Sequence, residues 1–295
     1  MRGRLSQNLA MNPSSTPGPG AERPLLHVRD ARGVHTLTLN TPNRFNVLGE
    51  AMLGALESAL VEVRADPQAR VLVLAAAGKA FCAGHDLKEM KTHPDAAYFQ
   101  GLFARCSRLM LSLQQLPVPV IAKVQGLATA AGCQLVAQCD LAVSVDTARF
   151  GVNGIDAGLF CATPSVPLVR NMAPKLAMEM LVTGEFIDAP EARARGLVNR
   201  VVTAAELDRE TEGLVVAILA RPREALAMGK QLFYQQREMG VAAAYQLASQ
   251  TMACNMVHPV AQEGVQAFID KREPKWPALR LPWFRHLIWT AGSQR

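Results

Sequence analysis

Two small-residue stretches constrain this chain more than any other feature. Gly78-Lys79-Ala80-Phe81-Cys82-Ala83-Gly84-His85-Asp86-Leu87 follows the apolar run Val71-Leu72-Val73-Leu74. Gly126-Leu127-Ala128-Thr129-Ala130-Ala131-Gly132-Cys133-Gln134-Leu135 follows Val118-Pro119-Val120-Ile121-Ala122-Lys123-Val124. Short β-branched runs of this kind read as strands, so each stretch reads as a loop leaving a strand. Their Gly and Ala residues let a ligand come close to the backbone. Two such loops on neighbouring strands can aim two peptide N–H groups at one oxygen, the geometry of an oxyanion hole. The second loop also opens a helix, 132–138, whose partly positive N-terminal end favours the same negative oxygen. A single Gly/Ala-rich stretch is ordinary punctuation. The pair says more.

The rest of the chain supplies a frame. Segments 25–28 and 34–39 read as a strand pair turning at Asp30-Ala31-Arg32-Gly33. A helix over 51–64 carries Leu53, Leu56 and Leu60 on one face and ends at Asp66-Pro67. Strand 70–75, the first loop and a long helix from about 95 to 115 follow; Pro117 stops that helix, and strand 118–124 leads into the second loop. This strand–strand–helix rhythm is a degenerate internal repeat, and stacked turns place successive loops on one rim. From Pro164 the chain turns helical, with helices expected over 165–172, 174–183, 189–195, 204–220, 222–238, 240–256 and 259–270 and one short strand near 198–202. The group from 204 onward carries apolar residues at helical spacing with no obvious enclosing sheet. Such helices need a further surface, either a neighbouring subunit or a self-contained helical cap.

Composition excludes several classes. At 295 residues and 49% hydrophobic content, the chain is long enough for one large domain with a substantial core. The net charge is +6, but residues 271–295 carry +5 and residues 1–23 carry +2, which leaves −1 for 24–270. A neutral core with basic ends is not a nucleic-acid groove, so no nucleic-acid partner is expected. Six cysteines, at 82, 106, 133, 139, 161 and 254, form no Cys-x-x-Cys pair and no His/Cys metal spacing. Structural thiols in a reducing compartment are expected, and no metal. No apolar run approaches the length of a membrane span. The first twenty-odd residues are rich in Ser, Pro, Gly and Asn, with no acid before Glu22. They read as a tail on a cytoplasmic protein, or as a targeting sequence for the mitochondrial matrix. Segment 276–289 interleaves three Trp and one Phe with Arg. That pattern suits a membrane-surface or partner-binding segment, or packing across a subunit.

Three further motifs complete a pattern: Leu37-Thr38-Leu39-Asn40-Thr41-Pro42-Asn43-Arg44-Phe45-Asn46, Cys139-Asp140-Leu141-Ala142 and Gly196-Leu197-Val198-Asn199-Arg200-Val201-Val202. Together with the two loops they span about 25–276, and the whole resembles the enoyl-CoA hydratase/isomerase (crotonase) superfamily. The resemblance implies an α/β fold, a crotonase-like spiral of strand–strand–helix turns with a C-terminal helical oligomerisation region. It divides the chain into a tail (1–24), a spiral core (25–203), a helical trimerisation region (204–276) and a basic aromatic tail (277–295). In that family two backbone amides hold the thioester oxygen of an acyl-CoA; position by position, these are the N–H groups of His85 and Ala131. The resemblance also places Phe45, Ala83, Asp86 and Leu87 along the CoA. Phe268 and Lys271, in Phe268-Ile269-Asp270-Lys271, would reach the CoA of a neighbouring subunit in a trimer or dimer of trimers. Core packing of Phe268 and a solvated Lys271 are the plain alternative. Coenzyme A is then part of the substrate, and no separate cofactor is implied.

The resemblance breaks at the chemistry. Hydratases of the family hold and activate water with two glutamates, one three residues after the second amide and one twenty further on. Here those positions are Gln134 and Gly154. Gln134 can orient a water but cannot take its proton, and Gly154 offers nothing. General acid–base groups contribute about 10²–10⁴-fold each, so hydration is expected to be slow, and restoring Glu at both positions to raise it. Asp156 matches the catalytic aspartate of dienoyl-CoA isomerases in the same superfamily. A carboxylate there can shuttle a proton between carbons of an oxyanion-stabilised dienolate. The other reading is a loop aspartate that bonds neighbouring amides. His85 resembles methylmalonyl-CoA decarboxylase-like members, where loss of CO₂ forms the enolate without a base; an imidazole turned to solvent is the plainer expectation. The catalytic candidates are thus Asp156 and Gln134. An isomerase- or decarboxylase-type acyl-CoA enzyme is expected ahead of an efficient hydratase, with a non-catalytic acyl-CoA-binding protein of the same fold as the alternative.

Overall fold

The chain winds as a spiral: a strand enters a large sheet, a short strand enters a small one, and a helix crosses back. The computed structural model describes residues 23–276. The expectations for the N-terminal tail, its targeting role included, and for the tail 277–295 fall outside the described residues. The first turn is a hairpin, β1 (Leu25–Arg29) and β2 (Val34–Leu39), followed by α1 (Glu50–Ala65). The second is β3 (Val71–Ala76), β4 (Ala80–Cys82), α2 (Leu87–Thr92) and α3 (Ala96–Gln114). The third is β5 (Val120–Val124), β6 (Leu127–Thr129) and α4 (Ala131–Gln138). The fourth is β7 (Leu141–Val145), β8 (Arg149–Gly151), a 3₁₀ turn over Asn153–Ala157 and α5 (Ala162–Asn171). Then α6 (Pro174–Thr183), β9 (Ile187–Asp188), α7 (Ala189–Ala194) and β10 (Arg200–Val202) close the core.

The large sheet runs β1-β2-β3-β5-β7-β10 and is parallel apart from the β1–β2 hairpin. Parallel neighbours need a crossover, which the helices supply. Helices then cover the strands, so the runs are apolar throughout rather than alternating: Val71, Leu72, Leu74, Val120, Ile121 and Ala122 are fully buried. The small sheet runs β4-β6-β8-β9. Its strands β4 and β6 lie inside the two small-residue stretches, which the sequence presents as loops. Three-residue strands are too short for a periodicity to register, and all of β4 is buried.

The C-terminal helices fall into two groups. The first, α8 (Leu207–Leu219), buries Leu207, Thr211 and Val215 and lies against β3, β5 and β7. It does have an enclosing sheet, contrary to the expectation from sequence. The second group is α9 (Arg223–Gln236), α10 (Val241–Met256) and α11 (Pro259–Ile269), in which α10 buries no residue at all. Phe268 is 84% exposed and Tyr245 73%. One polar clamp ties α9 to the core. Lys230 Nζ donates to Asp140 Oδ2 at 2.6 Å and to the carbonyls of Leu113 and Val118 at 3.0 Å. Tyr234 Oη donates to Asp140 Oδ1 at 2.7 Å, and the Val120 N–H donates to Asp140 Oδ2 at 2.7 Å. Among the described residues no helix is long and apolar enough to cross a membrane.

Candidate active site

The two small-residue stretches leave paired strands, β4 and β6, and press together at two glycines. A Cβ on Gly132 would lie 2.0 Å from the Cys82 carbonyl oxygen. Gly84 has φ +89°, and a Cβ there would lie 2.9 Å from Ala130 Cβ and 3.2 Å from the Ala131 nitrogen. Only glycine permits this approach. His85 and Ala131, each next to one of these contacts, therefore stand on facing segments. Ala131 is the first residue of α4, where an N–H has no helical acceptor. The Leu48–His85 bridge runs from the Leu48 N–H to the Gly84 carbonyl, not to the His85 amide. Neither the His85 nor the Ala131 N–H donates to an acceptor among the described residues. Ala130, at φ +49° and ψ −122°, turns the peptide into the helix and is held by its N–H on the Gly151 carbonyl at 2.9 Å. Such a backbone costs about 1–3 kcal/mol, strain that the surrounding packing must hold.

A second loop frames the opening. Phe45 and Asn46 both have positive φ. Asn46 is fully buried; it accepts the Thr41 N–H at 2.8 Å and donates to the Ala77 and Ala80 carbonyls at 2.8 Å. The Ala83 N–H donates to the Phe45 carbonyl at 3.0 Å. Phe45 is thereby left half-exposed beside the first small-residue stretch. Asp86 is buried and caps α2: its Oδ1 accepts the N–H groups of Lys88 at 3.1 Å and Glu89 at 3.2 Å. Its Oδ2 pairs with Arg44. That carboxylate holds α2, and with it Leu87, at the opening.

These elements enclose a cavity of about 740 Å³. Of the residues expected at the site, His85, Ala131 and Asp156 line it, as do Phe45, Ala83, Asp86 and Leu87. Gln134 does not; it is buried in α4, and its Oε1 has no partner. Phe268 and Lys271 are not brought to this cavity by their own chain. Phe268 lines a separate shallow groove with Trp276, and Lys271 is exposed. Among the described residues no cluster of three His, Cys, Asp or Glu side chains is arranged to hold a metal ion.

Three positions differ from, or sharpen, the reading from sequence. The His85 imidazole turns inward rather than to solvent. Its Nδ1 donates to the Leu48 carbonyl at 3.2 Å, its ring meets Phe103 edge-on, and its Nε2 is buried without a partner. Burial lowers its pKa, and the bond to Leu48 offsets this only in part. A neutral ring adds no charge to the cavity. Asp156 sits on the exposed side of the 3₁₀ turn, at the cavity rim. At Gly154 a Cβ would lie 2.5 Å from the Leu159 carbonyl oxygen and 2.8 Å from Cys161 Sγ. A glutamate restored at 154 therefore requires the Leu159 backbone to move, a steric cost that the expectation of faster hydration does not include. Burial also raises the Cys161 thiol pKa and pushes that of Cys133 up to about 12, which leaves both unreactive.

Sequence reasoning missed Thr129, Asn153 and Phe103, which also line the cavity. Thr129 ends β6 and Asn153 lies two residues past β8, strands too short to be recognised.

The fold is a spiral in which two undonated amides belong to residues lining one cavity. The family model for enoyl-CoA hydratase/isomerase matches residues 29–278, and the chain belongs to that family. Its fold is the crotonase fold. It is 42% identical over 259 residues to "Enoyl-CoA hydratase domain-containing protein 3, mitochondrial" of Rattus norvegicus, which covers 88% of this chain and 86% of the relative. The crystal structure of an enoyl-CoA hydratase from Mycobacterium smegmatis superposes with a TM-score of 0.86 at 59% identity, covering 86% of this chain and 99% of the other. That of human enoyl-CoA hydratase domain-containing protein 3 gives 0.83 at 42% identity, covering 86% and 100%.

Proposed function

We propose that this chain binds an acyl-CoA thioester and stabilises its enolate with the N–H groups of His85 and Ala131, as an isomerase- or decarboxylase-type enzyme rather than an efficient hydratase. The observation that carries this reading is the pair of undonated amides on segments pressed together at Gly84 and Gly132, both belonging to residues that line one cavity. When an acyl carbon loses a proton or CO₂, its electron pair delocalises on to the thioester oxygen. Donors already aimed at that oxygen are worth about 10²–10³ in rate each. The side chains at 134 and 154 supply no carboxylate to water. Of the two carboxylates that line the cavity, Asp86 is held by Arg44 and the first turn of α2, which leaves Asp156 at the rim to return a proton to the acyl chain. Coenzyme A enters as part of the substrate, and this reading calls for no separate cofactor.

A non-catalytic acyl-CoA-binding protein is the second reading, favoured by the exposure of Asp156. A panel of enoyl-, dienoyl- and malonyl-type thioesters, assayed with binding calorimetry, separates the two. Turnover of a dienoyl- or malonyl-type thioester faster than crotonyl-CoA hydration is expected, and Ala131→Pro, which removes a donor, should abolish it. Binding without any turnover leaves the second reading; absence of binding overturns both. The exposed apolar side chains of α9–α11 support assembly as a trimer or dimer of trimers, in which Phe268 and Lys271 reach a neighbour's CoA. A monomer by light scattering at micromolar concentration would remove that role.

A further inference from the structure

The turn after β8 holds a side chain that the proposed chemistry leaves unused. Asn153 follows β8 and Thr129 ends β6; these strands are parallel neighbours with Thr129 opposite Gly151. Thr129 Oγ1 donates to Asn153 Oδ1 at 2.6 Å. Thr129 is buried, and this bond places its one hydrogen on Oδ1 of the amide. With Oδ1 turned to Thr129, both hydrogens of Nδ2 are left without an acceptor among the described residues, on an atom that is not itself buried. Asn153, Thr129, Ala130 and Ala131 all line the cavity. The next residue cannot quench these donors: Gly154 has no side chain, and Leu159 O and Cys161 Sγ fill the space where one would start.

We propose that Asn153 is a specificity-determining residue of the acyl site, with Nδ2 donating to an oxygen carried on C3 of the acyl chain. The shared chemistry is a 3-oxo carbonyl, a 3-hydroxyl or the carboxylate of a malonyl-type thioester. This rests on the acyl-CoA reading above and selects within it. Neighbouring strands stand about 4.8 Å apart, a span comparable to that between oxygens on C1 and C3 of one acyl group. Ala131 and Asn153 each stand two residues past the paired ends of β6 and β8, so an acyl group with its C1 oxygen at the Ala131 amide can place its C3 oxygen at Asn153. A plain hydrocarbon chain laid over Asn153 strips water from the two N–H groups and returns no acceptor. Sites built around a hydrogen bond discriminate most strongly against the analogue that lacks it, here by roughly ten-fold or more.

The test is calorimetric affinity of the full chain for butyryl-, acetoacetyl-, 3-hydroxybutyryl- and malonyl-CoA. Thioesters with a C3 oxygen should bind the wild type about ten-fold more tightly than butyryl-CoA, and Asn153→Leu should bring that ratio close to one. Asn153→Asp keeps the shape and the Thr129 bond but replaces the donors with an acceptor. It should erase the preference for acetoacetyl- and malonyl-CoA and keep that for 3-hydroxybutyryl-CoA, whose hydroxyl can donate. A gain by malonyl-CoA alone assigns the oxygen to a carboxylate; a gain by the other two alone assigns it to a neutral group. A merely structural role for Asn153 would move all four affinities together. If butyryl-CoA binds the wild type as tightly as the rest, or both variants keep the wild-type ratios, the proposal fails while the acyl-CoA reading stands. If no thioester binds, that reading fails and the proposal goes with it.

Discussion

Gly132→Ala sets two effects against each other where the two small-residue segments meet. Gly132 is the second residue of α4, and alanine is favoured over glycine in a helix by about 1 kcal/mol. The added Cβ would lie 2.0 Å from the Cys82 oxygen and 2.6 Å from the Cys82 carbonyl carbon, where real Cβ atoms essentially never come under 3.0 Å. The obstacle is backbone in a fully buried strand, so the two segments must separate by about 1 Å in a close-packed interior. Overpacking of this kind costs about 1–3 kcal/mol, which the helix preference offsets by about 1 kcal/mol. At about 2–4 °C per kcal/mol, Tm should fall by no more than roughly 8 °C. The functional effect should be larger, because a misplacement of about 1 Å in a reacting geometry costs on the order of 10²-fold. Thermal melting and kcat/KM on the best thioester of the panel, or Kd if none turns over, read the two effects separately. A variant that melts higher than the wild type and keeps its full kcat/KM would show that the amides do not depend on this close approach.

Asp140→Ala leaves the Lys230 ammonium, 7% exposed, with two carbonyls and no counter-charge. Breaking such a buried pair costs about 3–5 kcal/mol, and a urea midpoint within experimental error of the wild type would deny that the clamp holds α9. The inward His85 ring gives a pH prediction. Burial lowers its pKa below the ordinary 6.5, so the folded protein binds fewer protons than the unfolded chain once pH falls below that value. Stability from this group is therefore full above pH 6.5 and is lost as the solution is acidified below it. His85→Gln keeps the backbone donor and should flatten that slope; urea midpoints at about pH 7.5 and about pH 5.5 that differ equally in both proteins would count against it.

Much of the frame is local information. Val71–Leu74 and Val120–Ala122 announce strands, and they are apolar at every position because the fold covers them on both faces. Asp66-Pro67 and Pro117 mark helix ends because proline has no N–H to continue one. The amide positions at His85 and Ala131 come from the family resemblance, and the fold adds why each has a glycine beside it: only glycine leaves room for the close contacts at 84 and 132. What stayed hidden depends on partners far along the chain. The strands β4, β6 and β8 are too short to carry a period, and they exist only because each has a neighbour to pair with. The covering of α8 by β3, β5 and β7 follows from the winding of the spiral, not from the helix's own pattern. His85 turns inward because folding brings the Leu48 carbonyl to its Nδ1, and Gly154 is closed because the chain returns with Leu159 and Cys161. Asn153 Oδ1 is met by the Thr129 hydroxyl, 24 residues earlier. A side chain's direction is decided by whatever acceptor, donor or wall the fold delivers to it, and residue order alone does not carry that distance.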